Sequence, residues 1–223
     1  MKARTYRVTL TGASPLLMHG CNIKSGEEVR RWSKDPMNKK VSVAGDDRSP
    51  GWTWIGYCYH DGKQLTIDAD NLMTMLRDGG SKCPAATGKG SMKRQTQSGI
   101  MVNEIGWPLL VNGAPIPWAP IEALKTCDDF EEHESAVEKM GFTLFCKRAT
   151  VGMAKHVRVR PRFNEWSATG TLTVLDEQIT TDMLKMILKH AGFYCGLCDW
   201  RPGSPKCPGQ FGRFEAEVDA VKG

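Results

Sequence analysis

The chain has 223 residues, is 40% hydrophobic and carries a formal net charge of +5. That length and apolar content are enough to bury a real core. No apolar run approaches the ~20 residues of a membrane helix, so a membrane span is not expected. The opening MKARTYRVTL passes straight into strand-like alternation without an apolar leader, which predicts a cytoplasmic protein.

Thr5 to Leu10 alternates and predicts a central strand, which Ser14-Pro15 breaks ahead of Leu16, Leu17, Met18 and His19. Gly20 to Pro50 is polar, has no apolar period, and includes Arg30 and Arg31. It reads as a long loop with a single helical turn at Glu27–Ser33, either a solvated insertion or a segment ordered by nucleic acid. Trp52–Tyr59 and Gln64–Ile67 predict a hairpin about Asp61-Gly62. Asp68 is placed to cap a helix over Asp70–Arg77, stopped by Gly79-Gly80.

Ser81 to Gln97 is a second basic stretch, with Lys89, Lys93 and Arg94. Its GKGSMK departs from the phosphate-loop pattern GxxxxGK[ST], so nucleotide hydrolysis is not supported. Gly106–Trp118 predicts short strands joined by Asn112-Gly113, and Pro120 suits the first turn of a helix reaching Lys125. The acidic Asp128–Met140 reads as helix and Phe142–Cys146 as strand.

From Lys139 the cations Lys147, Arg148, Lys155, Arg158, Arg160 and Arg162 follow with no acid between them. In VRVRPRF, strand alternation puts Arg158, Arg160 and Arg162 on one face, and Pro161 confines the segment to an edge or bulge. Guanidiniums two residues apart track a polyanion, and Phe163 and Trp166 would add stacking surfaces. A solvated edge strand protected by its charges is the plainer alternative. Trp166–Leu175 predicts a strand. Thr180 caps a helix over Thr181–His190, whose Met183, Leu184, Ile187 and Leu188 form a core stripe. A loop rich in glycine, proline and cysteine then carries Trp200, Arg201 and Arg213 into a closing strand at Gln210–Val218.

These elements predict an α+β fold with an RRM/ferredoxin-like βαββαβ core and an antiparallel sheet. Residues 1–223 form one domain, with insertions at 20–50 and 79–165 and a glycine-rich C-terminal loop. His190, Cys195, Cys198 and Cys207 are the candidate ligands for a structural zinc, although the spacing is not a familiar finger pattern. The histidines are isolated, and Asp46-Asp47 and Asp128-Asp129 point apart, so a binding protein is favoured over an enzyme.

Four short motifs, SPLLMH, RPRFNEW, DWRP and GRFE, occur in that order. Their order resembles the RAMP superfamily of CRISPR effector subunits and a family of phage-encoded proteins. The resemblance covers both ends and the last third well, and the middle poorly. It implies binding of single-stranded RNA or DNA, RNA foremost, in a bacterial host cytoplasm. It also implies assembly as a head-to-tail homo-oligomer or within a CRISPR-type complex. Two alternatives accompany it: a phage protein that mimics or blocks such subunits, and a metal-independent ribonuclease using His19.

Overall fold

The computed structural model describes residues 3–41, 50–85, 89–151 and 154–221, with only the backbone described at 39–41, 147–151 and 154–157. It is an α+β protein whose described strands form a seven-stranded and a three-stranded sheet, each antiparallel. Strand β1 (Arg4–Gly12) is central in the larger sheet. Its Tyr6, Val8 and Leu10 are buried while Arg7 and Thr11 are exposed, the alternation that a half-buried strand requires.

β1 pairs on one side with β10 (Phe214–Ala220) and on the other with β9 (Ser167–Val174). Beyond β9 lie β4 (Ile100–Val102) and β5 (Gly106–Val111), and β5 in turn pairs with β3 (Thr66–Asp68) and β6 (Ala114–Pro115). The β5–β6 turn is Asn112-Gly113, with φ of 52° and 76°. Positive φ at both central residues gives a hairpin turn whose twist matches that of its strands.

Helices α3 (Ala69–Gly80) and α7 (Thr181–His190) pack together and against the sheet. Asp68 caps α3 by accepting from Ala69 N, and Thr180 caps α7 by accepting from Met183 N. Their approach needs Gly79, where a Cβ would meet Ile187 O at 2.6 Å. α7 runs into one π turn, Ala191–Cys195, before the glycine-rich loop.

The smaller sheet is β2 (Leu16–Leu17), β8 (Ala154–Phe163) and β7 (Thr143–Val151), in that spatial order read from β2 through β8 to β7. The remaining helices are α1 (Ile23–Lys34), α2 (Pro36–Val41), α4 (Lys93–Gly99), α5 (Trp118–Ala123) and α6 (Phe130–Lys139). One contiguous buried cluster spans both sheets.

Three expectations are corrected. The 20–50 stretch is largely helical where it is described: Asn22 caps α1 by accepting from Ser25 N, and Val29 and Trp32 pack on the core. Two apolar anchors three residues apart are too few to register as a helical period, and residues 42–49 lie outside the described set. Trp52–Tyr59 is not a hairpin arm, because Gly51–Tyr57 is a 3-10 helix burying Trp52, Trp54 and Ile55. Its every-second-residue tryptophans imitate a strand. A single bridge, His60 to Leu65, remains around the Asp61 turn. The closing strand starts at Phe214 rather than Gln210, since Gly212 at φ 73° turns the chain first.

Candidate nucleic-acid interface

The four motifs converge in space. Ser14 of SPLLMH accepts from Arg213 N through its Oγ and from Trp166 Nε1 through its carbonyl, each at 2.9 Å. Leu16 and Leu17 pair with Phe163 and Arg162, and Leu17 O accepts from Asp199 N at 3.0 Å. The glycine-rich loop is thereby stitched at both ends to the 14–17 bend, whose β2 in turn pairs with β8. Cys198 and Trp200, on either side of Asp199, have φ of 59° and 53°. A left-handed backbone at a bulky, non-glycine residue costs energy and is retained where the surroundings over-determine it, often at functional sites.

Asp199 is the hub. Arg160 Nε lies 2.9 Å from its Oδ2, and His19 Nδ1 is 3.6 Å from the same oxygen. The first contact is ionic: neither Nε nor Oδ2 makes an aligned hydrogen bond. The second is beyond hydrogen-bond length. His19 also meets Tyr57 edge to face. Burial pushes the Asp199 carboxyl up, but His19 and the Arg160 guanidinium outweigh it and hold the group below its ordinary 3.8.

A carboxyl depressed in the folded state stabilises fully above its unfolded value and loses that contribution as pH falls through the lower folded value. Asp199→Asn is therefore expected to cost about 1–2 kcal/mol at neutral pH, less than a fully buried pair because the carboxylate is partly exposed. The gap to the parent should begin to narrow below about pH 4 and keep narrowing as pH falls through the depressed folded value. Urea midpoints of both proteins between pH 7 and pH 2.5 check this, and a gap independent of pH would contradict it.

Against this hub lie three half-exposed rings, Phe145, Trp200 and Phe211. Trp200 and Phe211 are near-parallel at 6.3 Å and 17°, with Phe145 edge-on at 6.2 Å and 5.5 Å. Arg160 sits over Trp200 at 5.3 Å and Arg162 over Phe145 at 5.6 Å. The β7–β8 register puts Phe145 opposite Arg160 and Lys147 opposite Arg158. Like charges directly across a ladder are unfavourable without a counter-charge.

Several expected contact residues have other roles. Phe163 is fully buried against Phe142, and Trp166 is buried over Gly12, where a Cβ would meet its ring at 2.3 Å. Neither offers a stacking surface. Arg160 is buried on Asp199, so its charge is already matched. Arg201 bonds to Asp78 Oδ2 and to Cys198 O and holds the loop to α3. Arg213 donates to Phe193 O. Arg30 and Arg31 on α1, and Lys89, Lys93 and Arg94 at or beside α4, are exposed but make none of the contacts that build the Asp199 hub. The side chains of Lys147, Arg148 and Lys155 lie outside the described residues.

The open face of the larger sheet carries Thr9, Thr169, Thr171 and Thr173 beside Arg7, Glu215, Glu217 and Asp219. Phe145 and Asp199 escaped the sequence reading as site residues. Only the cross-strand register and the loop's return bring them to Arg160.

The four zinc candidates do not share one centre. His190 Nδ1 contacts Cys83 Sγ at 3.4 Å, Cys195 and Cys198 are buried, and Cys207 is exposed. Among the described residues no three His, Cys, Asp or Glu side chains come together as a metal site. Burial pushes the Cys83 and Cys198 thiols up to about 11 and about 12, leaving them neutral. No helix among the described residues is long and apolar enough to cross a membrane.

Compared with known proteins, the chain matches no family model and no curated protein.

Proposed function

We propose that this protein binds single-stranded nucleic acid at the Phe145–Trp200–Phe211 platform. The observation that carries the reading is the pairing of half-exposed stacked rings with Arg158 and Arg162 on one strand face. Rings take bases whatever their identity, and guanidiniums take the phosphates between them. RNA is the preferred polymer on the resemblance to the RAMP superfamily, and the meeting of the four motifs in space supports that resemblance.

The strand order β10-β1-β9-β5, with α3 between β1 and β5 and α7 between β9 and β10, supports an RRM/ferredoxin-like core. Head-to-tail assembly along a strand is the extension of this reading, and particle size on a column reads it out. Binding rather than cleavage is the proposed role. Asp199 is already matched to Arg160, so it is a weak partner for activating His19 as a base.

The test is fluorescence anisotropy with a labelled oligouridine at 50 mM and 200 mM salt. The parent is expected to bind, more weakly at the higher salt, and to leave the oligonucleotide intact. Trp200→Ala and Phe211→Ala should each weaken binding about tenfold, since one stacked base is worth ~1–3 kcal/mol. No binding by the parent at 50 mM salt, or full affinity in both variants, overturns the reading.

A further inference from the structure

We propose that the cleft bounded by the 19–22 turn, β3 and the start of α3 accepts one guanine base of the bound strand, with the Asp68 and Asp70 carboxylates reading its edge. This rests on the nucleic-acid reading above and deepens it. The cleft encloses about 520 Å³, within the range of small-ligand pockets. Its walls include His19, Tyr59, His60, Asp68, Asp70 and Asn71.

His19 joins the cleft to the platform, because the same side chain lines the cleft and lies beside Asp199, next in sequence to Trp200. The cleft and the platform are thus neighbours across His19, and the proposed strand reaches from one to the other.

The lining selects the ligand. The chain is basic, yet the described walls of this cleft hold carboxylates and no Lys or Arg. Such a cleft repels phosphate and favours a ligand edge rich in N–H donors. Asp68 Oδ1 is already occupied by Ala69 N–H at 3.0 Å, and burial pushes this carboxyl up. Donors from a ligand would offset that lost hydration.

Guanine presents N1–H and the 2-amino group side by side, the two-donor edge that fits a carboxylate. Adenine and cytosine each offer a single amino group there, and uracil a single N–H. His60 lies flat on Trp118, with ring centroids 3.7 Å apart and an interplanar angle of 5°, so the wall it contributes is rigid and planar. Burial also pushes the Tyr59 phenol up to about 12, so it stays protonated and able to donate to a ring oxygen or nitrogen.

The experiment compares anisotropy binding of decauridine with a decamer of uridines carrying one central guanosine, for the parent and for Asp68→Asn/Asp70→Asn. Asparagine caps a helix as well as aspartate does, so α3 should persist, and far-UV circular dichroism checks it. The parent is expected to bind the guanosine oligomer about tenfold more tightly, the discrimination of one good bidentate pair. The variant should lose that preference and bind decauridine at least as tightly as the parent, since two carboxylates that repel phosphate are gone. Equal affinity of the parent for both oligomers overturns the guanine site while leaving the platform standing, and so does a preference that survives in the variant. Failure of the parent to bind either oligomer removes both readings together.

Discussion

Replacing Arg158 and Arg162 together by glutamate is expected to lower affinity for a single strand at least about 100-fold while leaving the fold intact. Charge-assisted contacts are worth ~1.5–3 kcal/mol each, so losing two multiplies to that figure before repulsion is added. Each phosphate contact also releases counterions. Its loss should make the plot of log K against log salt shallower by about 0.7, or about 1.4 for the pair.

Arg160 is deliberately left out. Its buried guanidinium is matched to Asp199, and reversing it would place two carboxylates face to face inside the molecule. A triple reversal would therefore confuse unfolding with lost binding. Arg162 Nε donates to Thr143 Oγ1 at 3.1 Å, a partly exposed bond whose loss is small beside the binding effect. Anisotropy titrations at four salt concentrations, with melting curves alongside, decide the matter. Parental affinity and slope in the double variant would place the polyanion elsewhere.

Gly212→Ala is expected to be the most damaging small change in the glycine-rich loop. Gly212 has φ 73°, and an added Cβ would lie 2.1 Å from Leu197 O and 2.8 Å from Leu197 N. Both neighbours are backbone and cannot rotate away. Two backbone bonds hold this point of the loop: Leu197 N donates to Gly212 O, and Gly212 N donates to Pro15 O, both at 2.8 Å.

The left-handed conformation costs a side chain ~1–2 kcal/mol and overpacking ~1–3 more, giving about 2–5 kcal/mol in all. For a chain of this size that lowers Tm by about 5–20 °C. The control is Gly113→Ala, also at positive φ (76°) but with nothing within 4 Å. It should lose only the conformational part, ~1–2 kcal/mol. Because the loop carries Trp200 and Phe211, Gly212→Ala should also bind oligouridine more weakly below its melting point. Equal melting points for the two variants would show that the loop yields without cost.

The fates of two sequence patterns show what was legible. The caps at Asp68 and Thr180, the Asn112-Gly113 turn and the apolar stripe of α7 were readable because each depends on residues a few positions apart. Trp52 and Trp54 misled for the same local reason: alternate tryptophans suit a strand, but burial against His133 and Phe142 stabilises a 3-10 turn instead. The basic run from Lys147 to Arg162 was visible as charge. That Arg160 is internal while Arg162 faces Phe145 was not, since both occupy equivalent positions in the alternation.

The sequence by itself determined the α+β class, helices α3, α6 and α7, the Asn112-Gly113 turn, and the presence of arginines and aromatic rings in one C-terminal third. Tertiary structure alone decided which of them meet. Phe163 and Trp166 went to the core because β2 and Gly12 close over them. Phe211 came back to Trp200 as the loop returned, and Phe145, placed by the hairpin register, met both rings across more than 50 residues of sequence. Burial is a property of the packed chain as a whole, and no local pattern states in advance which face of a charged strand will be covered.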